Sequence, residues 1–155
     1  MRRIVAIALA SLCLSLPAAA QERECSNQNG EYDPALSADW KNQLAASDPT
    51  AMTAISGVWR HQFDKTADGY VEVQVQRFFP DGLFEYQSRV CFGIGNDCKD
   101  REGHGIFTAH DEGGGIFVAV NYSDDTHAYS CIGFTVRLDG TDQFSTDSGV
   151  WTRVR

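Results

Sequence analysis

The chain is 155 residues long, with 13 Lys+Arg against 21 Asp+Glu, a formal charge of −8 and 43% hydrophobic residues. That length and apolar content describe one globular domain, too rich in core-forming residues for a disordered tail and without the repeats of a collagen or a coiled coil. The negative balance argues against nucleic acid and anionic membrane as partners, because affinity for both comes from Lys and Arg contacts to phosphate.

The first residues have the three-part pattern of a secretory leader. Arg2 and Arg3 form a charged start, Ile4 to Leu16 is an apolar run, and Pro17-Ala18-Ala19-Ala20 supplies small residues for cleavage after Ala20. An apolar run of about 13 residues falls short of the ~20 that a helix needs to cross a bilayer, and no other segment is long enough, so no membrane span is expected. Cys13 leaves with the leader as an apolar filler. Two basic residues and no acidic ones leave too, so the remaining 135 residues carry −10. The expected organisation is a leader over 1–20, an N-terminal segment with short helices over 21–54, and a β-barrel over 55–155. The product would be periplasmic or secreted, and a monomer.

Four cysteines remain: Cys25, Cys91, Cys98 and Cys131. An even count in an exported chain reads as two disulfides, and four cysteines allow three pairings. Cys91 and Cys98 flank a Gly/Asn/Asp-rich loop, which favours Cys91–Cys98 together with Cys25–Cys131. The spacing does not suit structural zinc.

Next come two helical signals. Leu36, Trp40 and Leu44 fall at i, i+4 and i+8, one stripe of a helix that Asp33 caps and Pro34 opens. Asp48-Pro49 opens a second short turn running through Met52 to Ile55. From Gly57 onward the period becomes two, predicting strands at 57–64, 70–79, 83–92, 104–110, 115–123, 126–137 and 148–154, with an extra short strand at 143–146. Asp68-Gly69, Pro80-Asp81-Gly82, Glu112-Gly113-Gly114, Asp124-Asp125 and Asp139-Gly140 are turns. Such short connections demand antiparallel neighbours. The fold class is therefore mainly β: an up-and-down antiparallel barrel of about seven or eight strands, behind a short N-terminal helix.

Alternation assigns the faces. Val71, Val73 and Val75 form the apolar set of the second strand, Phe84, Tyr86, Ser88 and Val90 that of the third, and Ile116, Val118, Val120 and Tyr122 that of the fifth. These are expected to point inward.

The run Gly57-Val58-Trp59, after a short helical turn, resembles the Gly-x-Trp signature on the first strand of lipocalins and the wider calycin group. Phe78-Phe79-Pro80-Asp81-Gly82-Leu83-Phe84 is similar to a strand–turn–strand of many bacterial lipocalin-like domains. The resemblance implies that Trp59 closes one end of the barrel beneath an arginine near the end of the last strand, for which Arg153 is the match. Gly57, Trp59 and Arg153 are then structural.

Signals for catalysis are sparse. His61, His104, His110 and His127 lie on different segments, and no hydrolase elbow, zincin or phosphate-loop motif occurs. Acidic residues around His127 and in Asp139-Gly140-Thr141-Asp142 read as turns rather than metal ligands. The expectation is a non-enzyme without cofactor or metal. Two binding roles remain. In the first, Val73, Val75, Phe84, Tyr86, Val118, Val120 and Tyr122 hold a small apolar molecule in or at the barrel mouth. In the second, the acidic surface and the loop 93–102 engage a cationic envelope protein, as small periplasmic barrels do when they inhibit cell-wall hydrolases.

Overall fold

A computed structural model describes residues 24–65, 69–92 and 97–155, the side chains of 64 and 65 excepted. The predicted leader with its cut after Ala20, and positions 93–96 of the predicted loop, lie outside those residues.

Helix α1 (Pro34–Ala45) begins where Asp33 accepts hydrogen bonds from the Ala35 and Leu36 N–H groups. Helix α2 (Pro49–Ile55) begins where Asp48 accepts from the Thr50 N–H. In each, proline stands in the first turn, where a missing N–H leaves no bond unmade.

Eight strands follow: β1 (Gly57–Lys65), β2 (Tyr70–Phe78), β3 (Leu83–Phe92), β4 (Asp97–Asp111), β5 (Ile116–Asp124), β6 (Ser130–Asp139), β7 (Gln143–Thr146) and β8 (Gly149–Arg153). They close into an antiparallel barrel in chain order, with β8 returning to β1. The extra segment at 143–146 is thus a full member of the wall. From Trp59 the paired residues run Gln76, Tyr86, Gly103 and Asp124. Extending the same registers around the barrel returns the path to β1 about 12 residues further along, a stagger that tilts the strands steeply to the axis.

Two strand boundaries differ from the sequence reading. β4 starts at Asp97 rather than 104, so most of the predicted 93–102 loop is ladder, paired from Phe92↔Asp97 onward. Residues 97–102 are all exposed and overrun β5, whose pairing begins at Gly103, so no buried face imprinted an alternation there. β6 starts at Ser130 rather than 126, because the Asp124 carboxylate accepts from the Thr126 and His127 N–H groups and holds that stretch as a turn.

The core divides in two. Inside the barrel, Trp59, Phe78, Phe84, Phe107, Phe144 and Trp151 pack with Val118, Val120 and Val136, and Ile55 and Ala51 of α2 seal the end. Burying each large side chain is worth roughly 1.5–3 kcal/mol. Outside, Trp40 and Leu44 of α1 lie with Cys25 on Ile106, Phe117 and Ala119. β5 is therefore covered on both faces.

Candidate functional site

The closed end is a lock of three residues. The Trp59 ring is fully buried, its Nε1–H donates to the Ile55 carbonyl at 2.7 Å, and its ring meets Phe144 edge-on at 4.7 Å. The Arg153 guanidinium lies over the Trp59 ring, 4.1 Å from its centroid. Its Nη1 donates to the Ser56 carbonyl at 2.8 Å and its Nε to that of Thr141 at 2.7 Å. Gly57 makes room: at φ 141° a Cβ there would stand 2.1 Å from Arg153 Nη1. One cation thus ties the start of β1, the β6–β7 turn and the last strand together.

Toward the opposite, open end the inner wall changes character. The ladder sets Gln76 beside Trp59 and Gln74 beside His61, so the inward set of β2 is Tyr70, Glu72, Gln74, Gln76 and Phe78. Val71, Val73 and Val75 sit on the outer face, contrary to the expectation that they line a pocket. The two sets of β2 carry aromatic or aliphatic groups alike, and Phe78, packed on Phe84 and Phe107 inside, fixes the phase. Of the other predicted pocket residues, Phe84, Val118 and Val120 are inside but wholly consumed as filler of the closed half. Tyr86 and Tyr122 are inside and half-buried, meeting edge-on at 5.5 Å.

Around them lies a polar collar. The Tyr86 hydroxyl donates to Asp124 at 3.1 Å, and its ring lies flat enough on Gly103 that a Cβ there would be 2.7 Å from it. Burial and the neighbouring Asp124 charge push the phenols of Tyr86 and Tyr122 up. Asp124 itself is buried, which opposes ionisation. Hydrogen bonds from Thr126 Oγ1, the Thr126 and His127 N–H groups and Tyr86 outweigh this and hold its carboxyl down at about 2. Glu72 accepts from the Tyr70 hydroxyl, which raises that phenol, and from Gln74 at 2.8 Å.

His61 is buried in the inner wall, 5.1 Å from the Trp151 ring, and its Nδ1 meets the Val150 carbonyl at 2.6 Å. His104 and His110 lie on the outer face of β4 and His127 in the β5–β6 turn, so the four histidines are not gathered.

Outside the barrel, Val73 and Val75 floor a groove of about 830 Å³ that crosses β2, β3 and β4 and ends at Asp125. Its walls carry Gln87, Glu102 and the Arg89–Asp100 pair, two bonds of 2.7 and 2.8 Å. The Arg89 guanidinium holds the Asp100 carboxyl below its usual range. The cysteines are bonded as Cys25–Cys131 and Cys91–Cys98, the pairing favoured from spacing. The first ties the N-terminal segment to β6; the second ties Cys91 to its ladder partner in the hairpin that walls the groove.

Phe63, Ile132 and Phe134 also belong to the inner face, and the sequence reading did not name them as site residues. The alternation Ile132, Phe134, Val136 was the signal available for the latter two. No helix among the described residues is long and apolar enough to cross a membrane. No protein-family model matches the chain, and no curated protein or solved structure shows significant similarity to it.

Proposed function

We propose that this chain is an exported, non-catalytic binding protein of the cell envelope, lipocalin-like, that takes a small and largely apolar molecule in the open half of its barrel. The observation that carries the reading is the contrast between the two halves. The closed half is solid with aromatic and aliphatic side chains, whereas the open half presents half-buried Tyr86, Tyr122, Phe63 and Phe134 and a collar of hydrogen-bonding groups. A binding site of mostly apolar wall with a few polar groups has that composition. The Gly57–Trp59–Arg153 lock supports the lipocalin-like assignment, since that family closes its barrel with the same three residue types. Two disulfides are compatible with the oxidising compartment that an exported protein meets. The test is native mass spectrometry of protein taken from an oxidising periplasm, followed by titration of the stripped protein with the neutral dye N-phenylnaphthylamine. A bound species, or saturable dye binding, is expected; neither appearing overturns the reading.

A second reading has its own observation. The outer groove, floored by Val73 and Val75 and edged by Glu102, Asp125, Arg101 and the Arg89–Asp100 pair, sits on a disulfide-tied hairpin of a protein whose net negative charge suits a cationic envelope protein such as a cell-wall hydrolase. Complex formation that weakens steeply between low and physiological salt would favour it over the carrier.

A further inference from the structure

We infer that the small molecule reaches the barrel through a notch in its side wall, between β1 and β6, and lies against Phe63, Ile132 and Phe134; this rests on the carrier reading above. The notch follows from strand lengths. β1 pairs with β2 as far as Lys65 but with β8 only at Trp59 and Arg60. β6 pairs with β5 from Ser130 but with β7 only from Arg137 to Asp139. β7 has four residues and β8 five, so their hairpin turns at Asp147-Ser148, part of the way up the wall. Beyond that turn two strand positions stand empty, and three inter-strand spacings leave an opening of about 14 Å.

Exposure agrees with the gap. Ile132 has inner parity, opposite Val120 on the ladder, yet it is 45% exposed while Val120 is fully buried. On that side β6 has no strand partner before Arg137, and Ile132 also borders the hollow beside Leu36 and Trp40 of α1. Phe134, two positions along on the same face, is half-buried on the core, and Phe63 on the facing strand packs edge-on against His61 at 4.0 Å. The sill is closed by the His61 ring, whose Nδ1 meets the Val150 carbonyl where the β1–β8 ladder ends. The upper corner is closed by Ser26, which bridges the free side of Ser130.

These bounds select the occupant. A partner's strand would pair along a free edge, His61–Lys65 on β1 or Cys131–Val136 on β6, and such pairing satisfies backbone groups rather than the inward Phe63, Ile132 and Phe134. What the opening offers is apolar side chains set back inside the wall. That geometry takes a compact, uncharged apolar molecule.

The experiment is a titration of N-phenylnaphthylamine against the full mature protein and two variants, Ile132→Glu at the notch and Phe92→Glu at the barrel rim. Both positions are about half exposed, so both variants should fold. Ile132→Glu should weaken the dye at least tenfold and Phe92→Glu less than twofold. In the wild type, dye-induced amide shifts in 1H–15N spectra should centre on Phe63, Ile132 and Phe134. Dye binding that Ile132→Glu leaves unchanged, or shifts centred on Tyr70 and Phe92, would overturn the notch and leave the carrier reading standing. A wild type that binds no dye and carries no molecule overturns both.

Discussion

Replacing Arg153 by methionine keeps an apolar stem and removes the guanidinium, and with it three interactions of the closed end. Two are hydrogen bonds from a charged donor to the carbonyls of Ser56 and Thr141, and the third is the stack on Trp59. A bond to a charged group is worth about 1.5–3 kcal/mol, less where solvent reaches it, and an accessible cation–π contact about 0.5–1 kcal/mol. Arg153 is half-buried, so a total near 3 kcal/mol is expected, or ~10 °C in Tm for a domain of this size. Gly57→Ala attacks the same contact from the other side, placing a Cβ 2.1 Å from Nη1 at φ 141°. It should cost about as much, partly as backbone strain of about 1–3 kcal/mol and partly as the clash. The clash needs the guanidinium and the strain does not. The double variant should therefore be about 1 kcal/mol more stable than the sum of the two single losses implies. Urea denaturation of the four proteins at pH 7, with m held in common, reads the coupling directly. Strict additivity, within about 0.5 kcal/mol, would refute the lock as described.

Other consequences can be checked alongside. Cys25→Ser with Cys131→Ser opens a link across 106 positions and should cost about 4–5 kcal/mol, whereas Cys91→Ser with Cys98→Ser opens one across 7 and should cost about 2–3, both read as shifts in urea midpoint. Asp124 is held near 2, below its unfolded value near 3.9, so its contribution is complete above about pH 5 and fades as pH falls toward 2. Asp124→Asn should thus lose about 1–2 kcal/mol at pH 7 and only about a third of that at pH 2.5; an equal loss at both pH values would refute the assignment. Trp40→Ala, which empties the outer cluster, should cost about 3–5 kcal/mol in thermal melts while leaving dye affinity unchanged.

What the sequence disclosed, and what it withheld, follows from which residues have a buried side. The caps at Asp33 and Asp48, the turns at Pro80-Asp81-Gly82, Glu112-Gly113-Gly114 and Asp139-Gly140 and the strands of the closed half are written in local chemistry and appear at the expected places, whereas the turn expected at Asp124-Asp125 runs on to Tyr129, and Asp68 of the expected Asp68-Gly69 turn lies outside the described residues. β5 shows both its faces plainly because Val118 and Val120 are buried inward and Phe117 and Ala119 under α1. β2 misled. Its odd positions are three valines and Arg77, and its even positions two glutamines and a glutamate between aromatics, so period two was legible but its phase was not. The phase is set by contacts far away in sequence, Phe78 on Phe107 and Trp59 opposite Gln76. The outer groove was invisible for the same reason, since its valine floor had been assigned to the interior. Likewise the start of β4 could not be read, because residues 97–102 bury nothing.

The notch and the lock share one cause in the shortness of β7 and β8. A barrel wall completed by strands of four and five residues reaches only part of the way up, so the wall's continuity has to be secured where those strands do meet β1. With two ladder pairs at the seam, backbone hydrogen bonding alone gives little there, and side chains supply the rest: Arg153 at the bottom, His61 on Val150 at the top. The same economy of strand leaves Ile132 without a covering neighbour above the seam. Lengthening the β7–β8 hairpin by four residues on each strand, which carries the β6 register as far as Ile132, should therefore bury Ile132, stiffen the seam and reduce dye access together. Hydrogen exchange at Phe134 and the rate of dye association would report the two effects separately. If the longer hairpin slowed exchange at Phe134 but left the association rate as before, the short strands would be a matter of seam stability alone, with no part in access.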